Sequence, residues 1–306
     1  MLYSKSQENS AMLPQNYSTP HESVQTAAPR LTPSAVNDLL CPKKYRRLRI
    51  ERRWPKRDAA LPVAHGKAVH AVLQTLYAAR VGGEVELSNL EAMARGAVRN
   101  TWYPRDCDKE EQVGRVMAAV NGFIASDDYE DIEGILDLER EGQFEVRIGG
   151  RVLCVMSATL DCALVRASQP DTLVIKERKT TAQRIDLKES YIQMRVAWKM
   201  YPKFSKIVIE YDWLDEDNRV ARDTITMREV KGQHQIVLGM AYRVLTATEF
   251  PAIPCEAACR FCPSRDECAT LPADDMSEEQ LRRFADAVIE EQGIQDDQIN
   301  VEGLDQ

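Results

Sequence analysis

The chain has no apolar run approaching the ~18 residues of a membrane-spanning helix. Its opening residues carry no basic segment followed by an apolar one, so the expectation is a soluble, unexported, cytoplasmic protein. The pattern G-x-x-x-x-G-K-[ST] is absent: Gly66-Lys67-Ala68 lacks both the first glycine and the hydroxyl, and no P-loop motor is encoded. Positive charge is in deficit, with a formal net charge of −8, which argues against a nucleic-acid partner until the charge is located. From Asp274 to Gln306 eleven acids face only Arg282 and Arg283, a net of −9, and the remaining residues carry 38 bases against 37 acids. The acidity belongs to the tail. Size is not lacking: 306 residues can bury a core in one large or two small domains without staples. The eight cysteines of a chain with no export signal read as thiols or metal ligands.

What is present centres on Leu173 to Thr181, an apolar β-type run ending in Lys-Glu-Arg-Lys-Thr-Thr. Strand alternation puts Ile175, Glu177 and Lys179 on one face. A second apolar run, Val152 to Leu160, is closed by Asp161, and pairing of the two strands would set Asp161 beside Glu177. Two acids and a lysine so placed can hold a divalent cation and meet a phosphate. The plainer alternative is a solvated charge run where a strand leaves the sheet.

Residues 1–30, rich in Ser, Gln, Asn, Thr and Pro, read as a disordered lead-in. Thr32-Pro33 signals a helix start, with Val36, Leu39 and Leu40 on its apolar face and Pro42 as its limit. The next stretch, Lys43 to Arg57, holds nine bases, one acid and two aromatics, an electrostatic footprint for a phosphate backbone. Its members Lys43, Lys44, Tyr45, Arg46, Arg47, Arg49, Arg52 and Arg53 are candidate nucleic-acid contacts, with Tyr45 and Trp54 available for base stacking. Alternatively the face is solvated or pairs with the acidic tail, and the aromatics pack in the core. Helices are predicted from Gly66 to about Arg80, carrying His70, and near 88–101 and 109–125. A hairpin follows, Phe144–Ile148 and Arg151–Val165 about Gly149-Gly150, then a strand over Thr172–Glu177. Helix over Leu187–Tyr201, strands over Lys206–Leu214 and Val220–Met227, and helices from Gln233 and Ser277 complete an α/β chain with a mixed sheet. The last residues read as disordered.

Pro254 to Cys268 carries four cysteines spaced C-x3-C-x2-C-x5-C, a metal-site pattern in a polar loop. Zinc and an iron–sulfur cluster both suit such ligands. Cys41, at the break before Pro42, is a remote candidate: with Cys259, Cys262 and Cys268 it would clasp the first helix to the last loop, leaving Cys255 spare or alternative. Cys154 and Cys162 lie in apolar strands, where a reduced buried thiol is ordinary.

Taken in order, Cys41-Pro42-x-x-Tyr45, Gly66-x-x-x-His70, Asp161, Glu177-x-Lys179, Gln193 and Cys259-x2-Cys262-x5-Cys268 resemble the iron–sulfur branch of the RecB-like nucleases. These belong to the PD-(D/E)XK superfamily and include CRISPR-associated and phage-encoded exonucleases. The resemblance implies a restriction-endonuclease-like core over 31–270, after a lead-in over 1–30 and before an acidic helix and tail over 271–306. It implies one or two Mg2+ or Mn2+ ions held by His70, Asp161, Glu177 and the Ile175 carbonyl, and a [4Fe–4S] cluster on Cys41, Cys259, Cys262 and Cys268, with zinc the alternative. Lys179 would orient water and stabilise phosphate charge, and Gln193 would contact DNA or brace the site. Two departures stand out: Thr159-Leu160 precede Asp161 where a small residue is common, and Ala197 and Trp198 occupy the place of the tyrosine in Gln-x-x-x-Tyr. The activity implied is a metal-dependent DNA exonuclease on single-stranded or free ends, in recombination, repair, phage replication or CRISPR adaptation. Its partners would be DNA and a separate helicase, recombinase or adaptation protein. The alternatives are an end-trimming endonuclease of the same fold and a noncatalytic DNA-binding subunit with structural zinc.

Overall fold

The computed structural model describes residues 28–53, 61–82, 89–104, 106–125, 132–180, 185–214, 220–253, 255–259, 262, 268, 277–291 and 299–301. Trp54, part of the basic stretch, lies outside them, as does most of the lead-in.

A short strand β1 (Arg30–Leu31) precedes α1 (Pro33–Asp38), whose start is fixed by Thr32: its hydroxyl accepts from the Ala35 amide at 3.3 Å. The helix ends at Asp38, sooner than Pro42 alone requires. Helix α2 (Pro42–Tyr45) then runs into a π-turn over Arg46–Ile50. Three long helices follow, α3 (Leu61–Gly82), α4 (Leu90–Asn100) and α5 (Lys109–Ile124), the last capped by Asp108, whose carboxylate accepts from Glu110 and Glu111 amides.

Strands β2 (Ile132–Ile148) and β3 (Arg151–Arg166) form the hairpin, turning at Gly149 and Gly150 with φ of +53° and +77°, a conformation that favours glycine at both positions. β2 begins twelve residues before the predicted Phe144. β4 (Gln169–Lys179), α6 (Leu187–Met200) and β5 (Lys206–Leu214) make a crossover joining two parallel strands, the connection that parallel pairing requires. β6 (Val220–Thr226), α7 (Met227–Val230), α8 (Gln233–Leu245), α9 (Glu256–Cys259), α10 (Glu278–Glu291) and β7 (Ile299–Val301) complete the order.

The sheet runs β6-β5-β4-β3-β2-β7, with β1 parallel to β3 beside it. β7 falls in a segment that reads as disordered, and β1 straddles the end of the lead-in. β7 pairs with Val146–Ile148, and Arg30 and Leu31 pair with Val155 and Met156. Mixed pairing and helices on both faces give the α/β architecture expected.

The two faces bury separate cores. Leu173, Ile175, Ile207 and Ile209 pack with α1, α6 and α8, whereas Val174, Leu164 and Val208 pack with α3, α4 and α5. Near-continuous burial of β4 and β5 is what coverage on both faces produces. α6 lies close over β2 because Gly142 has no side chain: a Cβ there would stand 2.5 Å from Val196 Cγ1. No helix among the described residues is long and apolar enough to cross a membrane.

Candidate functional site

The polar end of β4 is not a solvated run. Lys176 and Arg178 are 1% and 2% exposed and point into the α3 side of the sheet. Lys176 Nζ donates to Glu210 Oε2 at 2.9 Å and Asp212 Oδ1 at 3.0 Å, and Arg166 and Arg222 complete this buried ionic ladder on Glu210 and Asp212. Parallel register makes the ladder possible by setting Lys176 beside Glu210 and Arg178 beside Asp212. The Arg178 guanidinium lies 4.5 Å from the Tyr77 ring centre and 5.9 Å from that of Phe123, an aromatic seat for a cation that has left water. β4 is thereby pinned from behind.

On the opposite face Glu177 and Lys179 stand side by side, as alternation requires. β3 and β4 pair antiparallel, with Cys162 opposite Lys176, so the register carries Asp161 to Glu177. Lys179 Nζ donates to Glu177 Oε1 at 2.6 Å, and Gln193 Nε2 from α6 donates to Glu177 Oε2 at 2.7 Å. Gln193 thus braces the carboxylate. Burial pushes the Glu177 carboxyl up to about 7, Asp161 adds to the shift, and Lys179 and His70 oppose it. Burial by itself would depress the Lys179 ammonium, but Glu177, Glu189 and Tyr211 together raise its pKa, so it remains charged.

α3 brings His70 to this strand end. The approach is close because residue 66 is glycine: a Cβ there would stand 2.8 Å from Thr180 Oγ1. His70 Nε2 lies 2.9 Å from the Arg178 carbonyl oxygen, and Nδ1 lies 3.5 Å from Asp161 Oδ2. A carbonyl only accepts, so Nε2 carries the proton and, in the neutral ring, the Nδ1 lone pair faces the acid. The Arg178 amide donates to the same Asp161 oxygen at 3.3 Å.

One further acid joins them. A ligand atom each from His70, Glu139 and Asp161 all lie within 4.8 Å of one another. Glu139 on β2 has φ of +49°, a left-handed backbone uncommon outside glycine. Neighbouring pairs Leu138 with Cys162 and Arg140 with Leu160 place it across from Asp161. At this point β3 changes faces: Met156, Ala158 and Leu160 belong to the α6-side core, Cys162 and Leu164 to the other. The sequence reading missed Glu139, which stands in Leu-Glu-Arg-Glu, a run that resembles any solvated strand. Oxygen donors with one imidazole suit Mg2+ or Mn2+ by donor chemistry. Ile175, the other ligand expected, is wholly buried at mid-sheet between Ala163 and Ile209.

The basic stretch divides. Tyr45 and Lys44 are buried, so Tyr45 offers no face to a base, and Asp38 takes Lys44 at 3.1 Å and Arg49 at 2.7 Å. Arg46, Arg47 and Arg53 gather about Glu51, with Arg46 and Arg53 side chains 53% and 66% exposed. Arg52 is exposed and Lys43 partly so.

Cys41 does meet the last loop: the Ile253 amide donates to its sulfur at 3.4 Å, and the Lys43 amide donates to the Pro251 carbonyl. Among the described residues, however, Cys41, Cys255, Cys259, Cys262 and Cys268 supply no group of three sulfurs at metal-sharing separations. Burial raises the Cys154 and Cys162 thiols to about 12 and about 11, consistent with inert packing residues.

Comparison with known proteins gives a match over residues 30–269 to the family model of the PD-(D/E)XK nuclease superfamily. Among solved structures, the crystal structure of SSO0001 is 12% identical with a TM-score of 0.36, covering 81% of this chain and 88% of its own. That of a "Putative exonuclease" from Eubacterium rectale is 10% identical with a TM-score of 0.46, covering 81% of this chain and 91% of its own. No curated protein matches by sequence.

Proposed function

This chain belongs to the PD-(D/E)XK nuclease superfamily, and from that premise we propose a divalent-metal-dependent DNA exonuclease that hydrolyses phosphodiester bonds at single-stranded or frayed ends. The observation that carries the proposal is the convergence of Asp161, Glu177 and Lys179 with His70 at one strand end. The family implies divalent metal and DNA. A cation bound there would polarise a phosphoryl oxygen and acidify a water.

The residues then divide the work. Asp161 and Glu177 would hold the cation with help from His70, whose imidazole tautomer the Arg178 carbonyl fixes. Gln193 holds Glu177 in register, acting as a positioning residue. Lys179, kept protonated by its neighbours, orients the attacking water through its ammonium and stabilises charge on the phosphate. In-line attack leaves a 5′-phosphate and a 3′-hydroxyl. Within the basic stretch, Lys43, Arg46, Arg47, Arg49, Arg52 and Arg53 keep exposure with which to track a strand. We assign the nuclease domain to 31–270.

Circular single-stranded DNA tests the exonuclease reading. The circle should survive conditions that degrade the linear strand, and its cleavage would favour the end-trimming endonuclease. For the cysteines, the Cys41–Ile253 contact supports a clasp. A [4Fe–4S] cluster, or zinc, requires Cys259, Cys262 and Cys268 to close on Cys41. Iron, sulfide and zinc analysis of protein purified without oxygen decides between them, and absence of all three rejects both. A pull-down with a helicase, a recombinase or an adaptation protein would test those partners.

A further inference from the structure

We propose that Glu189, on the first turn of α6, is a positioning residue that holds the Lys179 ammonium in place when Glu177 turns its charge to a bound cation. The proposal rests on the nuclease reading above and deepens it.

The register of helix against strand carries the argument. α6 runs back between two parallel strands, so it is antiparallel to β4. Gln193 Nε2 reaches Glu177 Oε2 at 2.7 Å and fixes that register. Four residues toward the start of α6 cover about 6 Å, and two residues toward the end of β4 cover about 6.6 Å. Glu189 shares a helix face with Gln193, four residues away, and so stands level with Lys179. Two further contacts agree. Ser190 Oγ and the Tyr211 hydroxyl share a hydrogen bond at 2.8 Å, and the Tyr211 ring centre lies 6.0 Å from Lys179 Nζ. From α1, Asn37 Nδ2 donates to Glu189 Oε1 at 3.0 Å, which aims the carboxylate. The charges also act on each other: burial raises the Glu189 carboxyl, Asp186 adds to the rise, and Lys179 opposes it.

Electrostatics gives this second carboxylate its role. Lys179 Nζ donates to Glu177 Oε1 at 2.6 Å. In the loaded site Glu177 would share its charge with a divalent ion that repels the ammonium. Glu189 is tied to α1 and stands apart from the two acids that would hold the ion, so its charge stays with Lys179.

The ammonium resonance of Lys179 in 15N-labelled, full-length protein provides the test, identified by its absence from Lys179→Ala and recorded without metal and with Mg2+. The wild type should show it in both states. Glu189→Gln, which keeps shape and removes charge, should show it without metal, where Glu177 still holds the ammonium, and lose it to solvent exchange with Mg2+. A packing role alone would give loss in both states or in neither, and either result would overturn the proposal. Should Glu189→Gln fail to fold, the wild type still decides: a Lys179 signal that vanishes with Mg2+ would overturn the proposal, and one that persists would support it. On end-labelled linear single-stranded DNA, Glu189→Gln should lower kcat about tenfold and leave KM within about twofold, the split expected of a group that acts on the transition state through Lys179. Equal kcat in the two proteins counts against this proposal alone. A wild type that cuts nothing counts against the nuclease reading and leaves the resonance test standing.

Discussion

Protonation of Glu177 competes with any cation between it and Asp161, and that competition is measurable. Burial lifts this carboxyl from 4.5 to about 7. The folded, metal-free protein therefore holds a proton there below pH 7, loses it as pH rises through about 7, and must release it when a cation binds below that point. Each pH unit below 7 weakens apparent affinity about tenfold, or about 1.4 kcal/mol. At pH 5 the loss is about 100-fold, or about 2.7 kcal/mol. An unshifted carboxyl would lose less than about twofold at the same pH. Mn2+ titrated calorimetrically at several pH values between 5 and 8.5, in two buffers of different ionisation enthalpy, reads both affinity and proton release. Release near one proton at pH 6, falling to near zero by pH 8.5, is expected, and Glu177→Gln should remove the dependence along with most of the affinity. Flat affinity between pH 5 and 7, or no proton release at pH 6, would refute the burial argument.

Asp38 is buried with Lys44 and Arg49 on its two oxygens. Asp38→Ala takes the carboxylate from the buried Lys44 ammonium and should cost about 3–5 kcal/mol in urea unfolding, whereas Arg53→Ala at the exposed rim should change stability by under about 0.5 kcal/mol. Lys176 is 1% exposed between Glu210 and Asp212; Lys176→Met should destabilise by a similar 3–5 kcal/mol, measured the same way. On α8, a Cβ at Gly239 would lie 2.6 Å from the Ala285 backbone of α10. Gly239→Ala should therefore force the helices apart, costing about 1–3 kcal/mol and raising hydrogen exchange along 278–291.

The chain made its regular elements legible where pattern alone decides them. Lys206–Leu214 is a strand over the very residues whose alternation marks it, and α5 differs from its predicted span by one residue. Asp161 and Glu177 were legible as a pair because two apolar runs both end in an acid, and antiparallel register does the rest. What stayed hidden was set by tertiary context. Nothing local shows that Lys176 and Arg178 face inward, because their partners lie on β5 and on α3 and α5. Glu139 depends on where β3 changes faces. Tyr45 looked free for stacking because a basic neighbourhood masks the core contact beneath it. β7 is three residues long and pairs with β2 from about 150 residues away, so no window of sequence reports it.

If the strand end bearing Glu177 and Lys179 cuts DNA, Lys179 is the residue whose loss should stop it. The most direct measurement is cleavage of end-labelled linear single-stranded DNA with Mn2+ by wild type and by Lys179→Ala, both folded by circular dichroism and both binding the strand. The wild type should release the label, and Lys179→Ala should lose that release by at least about 100-fold, the scale at which removing a charge-stabilising donor acts. Equal cleavage by both proteins, or binding without cleavage by the wild type across metals and end structures, would contradict it.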